Sequence, residues 1–122
     1  MSVKLSIILP TYNERGNVVQ LVKELLKIST KLNKPFEILV IDDNSGDGTA
    51  DFCRDAFREN KNVKIFLRKE EKGLATAVKF GMERAAGDCV MVMEADFNHD
   101  PQIIPLMLGQ LKENNRGCQV FS

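Results

Sequence analysis

Four short apolar runs, Val3 to Leu9, Phe36 to Ile41, Val63 to Leu67 and Cys89 to Met93, alternate along this chain with stretches whose apolar residues fall at helical spacing. Runs that short, rich in β-branched residues and nearly continuous rather than alternating, suit strands buried on both faces. Between the first two, Val18, Leu21, Val22, Leu25, Leu26 and Ile28 or Ser29 predict a helix that starts within Asn13 to Asn17 and breaks at Lys31 to Pro35. Ala50 to about Glu59 predicts a second, burying Phe52 or Cys53 with Ala56 and Phe57. Gly73 to Ala86 predicts a third, with Leu74, Ala77, Val78 and Met82 on one side. Pro10 is expected to stop the first strand, and an N-cap is expected at or near Asp47. Pro101, tolerated in a first turn, opens a fourth helix ending near Asn114 to Gly117, and Gln119 to Ser122 begins a fifth strand. Repeated strand-helix order with right-handed crossovers implies a three-layer α/β/α fold, its mostly parallel sheet covered on both faces.

At 122 residues and 43% hydrophobic, the chain fits a single domain, 1–122, able to bury roughly two-thirds of its unfolded surface. Seventeen basic and seventeen acidic residues cancel, so nothing global argues for a nucleic-acid surface or an anionic membrane. The apolar runs are too short to span a bilayer, and Met1 to Lys4 lacks a signal-peptide layout, so the expected compartment is cytoplasmic. Cys53, Cys89 and Cys118 are an odd number without CxxC spacing, which predicts bystander thiols rather than zinc or a disulfide framework.

Every polar cluster follows a strand: Thr11 to Arg15, Asp42 to Thr49, Arg68 to Lys72 and Glu94 to Asp100. Parallel sheets bind ligands at the carboxyl ends of their strands, so these clusters should share one rim. Tyr12, the only tyrosine, lies among hydrogen-bonding side chains, a combination able to stack on a nucleobase; the plain alternative is a helix entry capped by Asn13 or Asn17. Asp42 and Asp43 can accept hydrogen bonds from a base N–H or a ribose hydroxyl, or stay solvated. Arg68, Lys69 and Lys72, just before Gly73, can face a diphosphate, although Glu70 and Glu71 also balance them as an ordinary charged loop. There is no Walker sequence and no GxGxxG fingerprint. Glu94 and Asp96, two residues apart, project to one side of an extended segment, with Asn98 two further on. Such oxygen ligands suit Mg2+ or Mn2+ with nucleotide phosphates completing the shell. His99 reads as a loop-fixing residue and Phe97 as packing.

Taken together, Pro10-Thr11-Tyr12-Asn13-Glu14, Val40-Ile41-Asp42-Asp43-Asn44-Ser45, Asp47-Gly48-Thr49, Lys72-Gly73-Leu74, Gly87-Asp88 and Glu94 through Pro101 resemble the family 2 glycosyltransferases of the GT-A fold, and within them the polyprenol (dolichol) phosphate mannose synthases. The resemblance implies a Rossmann-like nucleotide-binding half and transfer of a sugar, with inversion, from a nucleotide diphosphate donor, GDP-mannose being favoured. It implies a polyprenol phosphate acceptor, a divalent metal, and work at the cytoplasmic face of a membrane by peripheral contact. It places Pro10, Tyr12 and Glu14 on the base, Asp42 or Asp43 on base or ribose, Lys72 near base or diphosphate, and Glu94, Asp96 and Asn98 on metal and diphosphate, with the catalytic part assigned to Asp96. Glu94 stands where the family's motif usually has aspartate, one methylene shorter. Family members continue into an acceptor-binding half, so the 122 residues are expected to correspond to the donor-binding part. Two other classes remain: a nucleotide-sugar binding module without turnover, and a phosphoacceptor receiver-like domain. The second fits poorly because its acids should follow the first strand, whereas here they follow the second.

Overall fold

A computed structural model describes residues 5–11, 15–32, 36–43, 48–69, 73–87, 89–93 and 118–121. The order is β1 (Leu5–Thr11), α1 (Arg15–Leu32), β2 (Phe36–Asp42), α2 (Thr49–Ala56), β3 (Val63–Leu67), α3 (Leu74–Arg84), β4 (Cys89–Val92) and β5 (Cys118–Phe121). The helix expected after Pro101 lies outside the described residues. All five strands form one parallel sheet in the order β3-β2-β1-β4-β5. The chain therefore steps outward from β1 to β3, then returns to the far side of β1. Right-handed crossovers in opposite directions place their helices on opposite faces. Accordingly α1 and α2 cover one face and α3 the other, giving the α/β/α layers of a Rossmann-like fold.

Strand alternation divides the core. Leu5, Ile7, Leu9, Phe36, Ile38, Val40, Cys89, Met91 and Met93 pack with Val18, Leu21, Val22, Leu25 and Ile28 of α1 and Cys53 of α2. Ile8, Leu39, Ile41 and Val92 point the other way and meet Ala77 of α3. The apolar strands thus need two helical layers because both of their faces are buried. Burial on α2 follows Thr49, Ala50 and Cys53, with Phe57 just beyond the helix, while Ala56, expected inside, is exposed. The N-cap of α2 is Gly48 rather than Asp47, with no side-chain cap.

The buried face of α3 consists of Ala77 and Gly81, and Leu74, expected in the core, is 55% exposed at the first helical position. Gly81 brings the helix against β1: a Cβ there would lie 2.8 Å from Ile8 Cγ2 and 3.0 Å from two further Ile8 carbons. Ile8 is fully buried and stiff at its β-branch, so it cannot swing away. Gly81→Ala is expected to lower stability by about 1 kcal/mol, an overpacking cost of about 1–3 kcal/mol partly offset by alanine's helix propensity. Urea unfolding measures this, and a more stable variant would refute the close approach.

At the amino ends of the strands, a buried polar cluster ties the α3–β4 connection to the sheet. Ser6 and Glu37 are partners in the β1–β2 register, and the Ser6 hydroxyl donates to Glu37 Oε2 at 2.6 Å. Glu37 also accepts from Lys64 Nζ at 2.7 Å and from the Ala86 N–H at 2.9 Å, while the Gly87 N–H donates to Ser6 Oγ at 2.8 Å. A carboxylate with these donors can be buried because its lone pairs are satisfied.

The cysteine expectation holds for Cys53, a buried free thiol, but not for Cys89, which is disulfide-bonded. Cys89 sits opposite Cys118 in the β4–β5 register. The register joins positions far apart in the chain, a proximity that linear spacing does not reveal.

Candidate donor-binding rim

The sheet order reverses between β1 and β4, and in open parallel sheets that switch point is where the crevice for a ligand opens, at the carboxyl ends of the strands. Pro10 does not stop β1, which runs through Thr11 and pairs with β2 as far as Thr11↔Asp42. Its missing N–H bears on one side of the strand alone. The Met93 N–H donates to the Ile8 carbonyl at 3.0 Å, so Ile8 faces β4, while the Thr11 carbonyl accepts from the Asp43 N–H at 3.1 Å and faces β2. By alternation Pro10 faces the β4 side, where the next rung of a parallel ladder would need an N–H that proline lacks. The described β1–β4 pairing runs from Leu5↔Cys89 to Ile8↔Val92.

On the opposite side of β1 the rim is tightly knit. Asp42 is buried and its Oδ1 accepts from the Thr11 hydroxyl at 3.0 Å; both side chains lie on the α1/α2 side. Asp43 points toward the α3 side. Its Oδ1 accepts from Arg68 Nε at 2.7 Å, and its Oδ2 accepts from the Gly73 N–H at 2.9 Å. Arg68 Nη2 donates to the Gly73 carbonyl at 3.1 Å, and the Arg68 N–H continues the β2–β3 ladder by donating to the Asp42 carbonyl at 2.8 Å. Phe80 of α3 lies beneath the guanidinium, 5.9 Å from ring centroid to Cζ. Arg68 is thus turned inward and 5% exposed, rather than presented to a diphosphate as its place in a basic cluster suggested.

The two adjacent acids, indistinguishable as neighbours in a sequence, occupy different environments because successive strand residues face opposite ways. A carboxylate has about four lone-pair directions, so Asp43 can take a further donor while holding Arg68 and Gly73. Among the residues assigned to a nucleotide, Pro10, Asp42 and Asp43 are thereby brought to one rim. Tyr12, Glu14, Lys72, Glu94, Asp96 and Asn98 lie outside the described residues, as do His99 and Phe97. In the sequence Lys72 immediately precedes Gly73 and Glu94 immediately follows Met93. Arg68 in its clamping role was missed, although a lone arginine directly after a buried strand and opposite an acid pair was a usable signal. Among the described residues, no group of three or more His, Cys, Asp or Glu side chains is placed to share a metal ion. No described helix is long and apolar enough to cross a membrane.

The fold is the three-layer, mostly parallel α/β/α architecture of the GT-A type. The model of the glycosyl transferase family 2 matches residues 6–122, and the chain belongs to that family. The chain is 38% identical over 112 residues to the dolichol-phosphate mannosyltransferase of Pyrococcus furiosus, covering 92% of this chain and 31% of that protein. It is 33% identical over 115 residues to the dolichol-phosphate mannosyltransferase of Saccharomyces cerevisiae, covering 93% and 43% respectively. The chain thus spans less than half the length of these curated relatives. In structure it is similar to mannosyl-3-phosphoglycerate synthase from Rubrobacter xylanophilus, with a TM-score of 0.76 at 23% identity, covering 89% of this chain and 36% of that one. A Pyrobaculum calidifontis mannosyltransferase solved with GDP-Man and Mn2+ matches with a TM-score of 0.62 at 27% identity, covering 79% and 28%.

Proposed function

We propose that this chain is the donor-binding part of a glycosyltransferase that moves a sugar, with mannose from GDP-mannose favoured, to a polyprenol phosphate with inversion. The observation carrying this reading is the reversal of strand order between β1 and β4, with Pro10 and the Asp42–Asp43 pair at the carboxyl ends of β1 and β2 and Glu94-Ala95-Asp96 following β4 in the sequence. Kinship to two dolichol-phosphate mannosyltransferases supports the choice of acceptor, and the relative solved with GDP-Man and Mn2+ supports donor and cofactor.

In this reading Pro10, Tyr12 and Glu14 border the base, and Asp42 or Asp43 accepts from base or ribose donors. Lys72 lies beside the diphosphate at the amino end of α3, where backbone N–H groups also favour negative charge. Glu94, Asp96 and Asn98 offer two carboxylates and an amide oxygen, a donor set that suits Mg2+ or Mn2+. Such an ion, when bound, supplies charge neutralisation at the diphosphate.

A phosphate acceptor removes the need for a strong base, because a monoester with a second pKa of about 6 is largely ionised at neutral pH. The acceptor oxygen forms its bond to the anomeric carbon as the bond to the diphosphate breaks on the opposite side. The residues here contribute alignment of the donor and stabilisation of the departing diphosphate. Work at the cytoplasmic face of a membrane belongs to the same proposal, since the acceptor is a lipid.

Titration of GDP and UDP in the presence of Mn2+ tests the binding claim. GDP is expected to bind at least about tenfold more tightly, a difference of 1.4 kcal/mol. Tighter UDP binding would overturn the choice of donor. Labelled-sugar transfer from GDP-mannose to a polyprenol phosphate tests turnover. GDP binding without transfer would leave the chain as a nucleotide-sugar binding module.

A further inference from the structure

We propose that Arg68 is a positioning residue for the diphosphate edge of the site, holding the start of α3 through Gly73. The inference rests on the donor-binding reading above. Arg68 and Asp43 grip Gly73 by both of its backbone polar groups. The acid takes the N–H at 2.9 Å and the base donates to the carbonyl at 3.1 Å, while acid and base are joined at 2.7 Å. That same carbonyl accepts the first bond of α3, from the Ala77 N–H at 3.0 Å, and another from the Thr76 hydroxyl at 3.1 Å. The clamp therefore sets where the helix begins and the direction in which it leaves the rim.

Gly73 has φ 126° and ψ 146°, a conformation that side-chain-bearing residues rarely adopt. Glycine reaches that region without steric cost but has many other conformations open to it, and the clamp selects this one. Both ion-pair partners are largely withdrawn from water, with side-chain exposures of 4% for Arg68 and 12% for Asp43. Burying a charge pair is a costly way to gain stability alone, since well-packed apolar residues serve as well or better. Fixing a glycine-led helix start before a ligand arrives is a use that apolar packing cannot supply, because it needs a donor and an acceptor aimed at one peptide. A helix start so fixed need not lose conformational freedom when a diphosphate binds beside it.

The test compares the diphosphate and monophosphate of whichever base binds better, competing against a fluorescent analogue of that diphosphate in the presence of Mn2+. Arg68→Gln leaves Asp43 its bond from the Gly73 N–H but removes the hold on the Gly73 carbonyl. It is expected to weaken diphosphate binding on the order of tenfold and monophosphate binding less than about threefold. Arg68→Lys, which restores the charge but not the fork, should fall between wild type and Arg68→Gln. Melting temperature alone would not separate these roles, whereas the ratio of the two affinities does.

Equal weakening for both nucleotides would show that Arg68 supports only the fold or Asp43, and unchanged affinity would show that the clamp is dispensable; either overturns the proposal. Should Arg68→Gln fail to fold, the ratio measured for Arg68→Lys decides it in the same way. If the wild-type chain binds neither nucleotide, the donor-binding reading itself falls and takes this inference with it. That outcome is distinct from the other two, because it appears before any substitution is made.

Discussion

Asp96→Ala is expected to reduce Mn2+-dependent binding of a nucleoside diphosphate by on the order of 100-fold, about 2–3 kcal/mol, whereas Asp100→Ala should cost less than about threefold. The difference follows from position. Asp96 falls three residues after Met93, where the β1–β4 ladder ends, and shares an alternating i, i+2 set with Glu94 and Asn98. Asp100 lies beyond that set and immediately before Pro101, which biases it toward an extended conformation entering a turn or helix. A diphosphate carries more charge than Lys72 and a helix end can offset, so removing an acid that recruits a cation should cost most of the diphosphate's contribution. Wild type in excess chelator and Asp96→Ala in Mn2+ should converge on the same weak affinity. Equal calorimetric affinities for Asp96→Ala and Asp100→Ala would remove Asp96 from the metal assignment. Retention of wild-type affinity in chelator would remove the metal.

The second large effect is expected at the other end of the strands. Glu37→Ala should destabilise the chain by about 2–4 kcal/mol, because it strands the Ser6 hydroxyl and the Ala86 N–H while opening a cavity. Lys64 moderates the loss, since its side chain is 47% exposed and its ammonium can return to water. Burial pushes the Glu37 carboxyl upward, but hydrogen bonds from Lys64, Ser6 and Ala86, with the Lys64 charge, outweigh it and leave the group below its ordinary value of 4.5. The unfolded chain then binds the proton more readily than the folded one, so this stabilisation is fully present above about 4.5 and disappears as pH falls through the lower folded value. Chemical unfolding at pH 7 and through the acid limb checks both claims. Glu37→Gln should flatten that limb, and an unchanged acid limb would show that Glu37 is not its source.

Much of the architecture was legible because apolar runs and helical spacing are local signals. The strand-helix alternation and the rim at the strand ends follow from them directly. The departures arose where meaning depends on a neighbour. Pro10 reads as a stop, yet β1 runs on through Thr11 because the missing N–H faces β4 rather than β2, which one strand alone does not reveal. Leu74 reads as core, yet stands at a helix start turned from the sheet. Gly81 takes its role from Ile8, which lies against it from a strand distant in sequence. Ser6 and Glu37 were submerged in apolar runs, although aligning the strands side by side pairs them. Asp42 and Asp43 show the limit most plainly, since parity sends one toward Thr11 and the other toward Arg68.

The strand order also governs when the rim can exist. Its two sides, the end of β1 and the end of β4, are far apart along the chain and adjacent only through the β1–β4 pairing. Closing so long a loop is entropically slow compared with forming the neighbouring β1-α1-β2 unit. Nucleotide affinity should therefore emerge late in refolding, after helical signal has largely returned, and the central strand acts as the hinge of assembly between an early half and a late one.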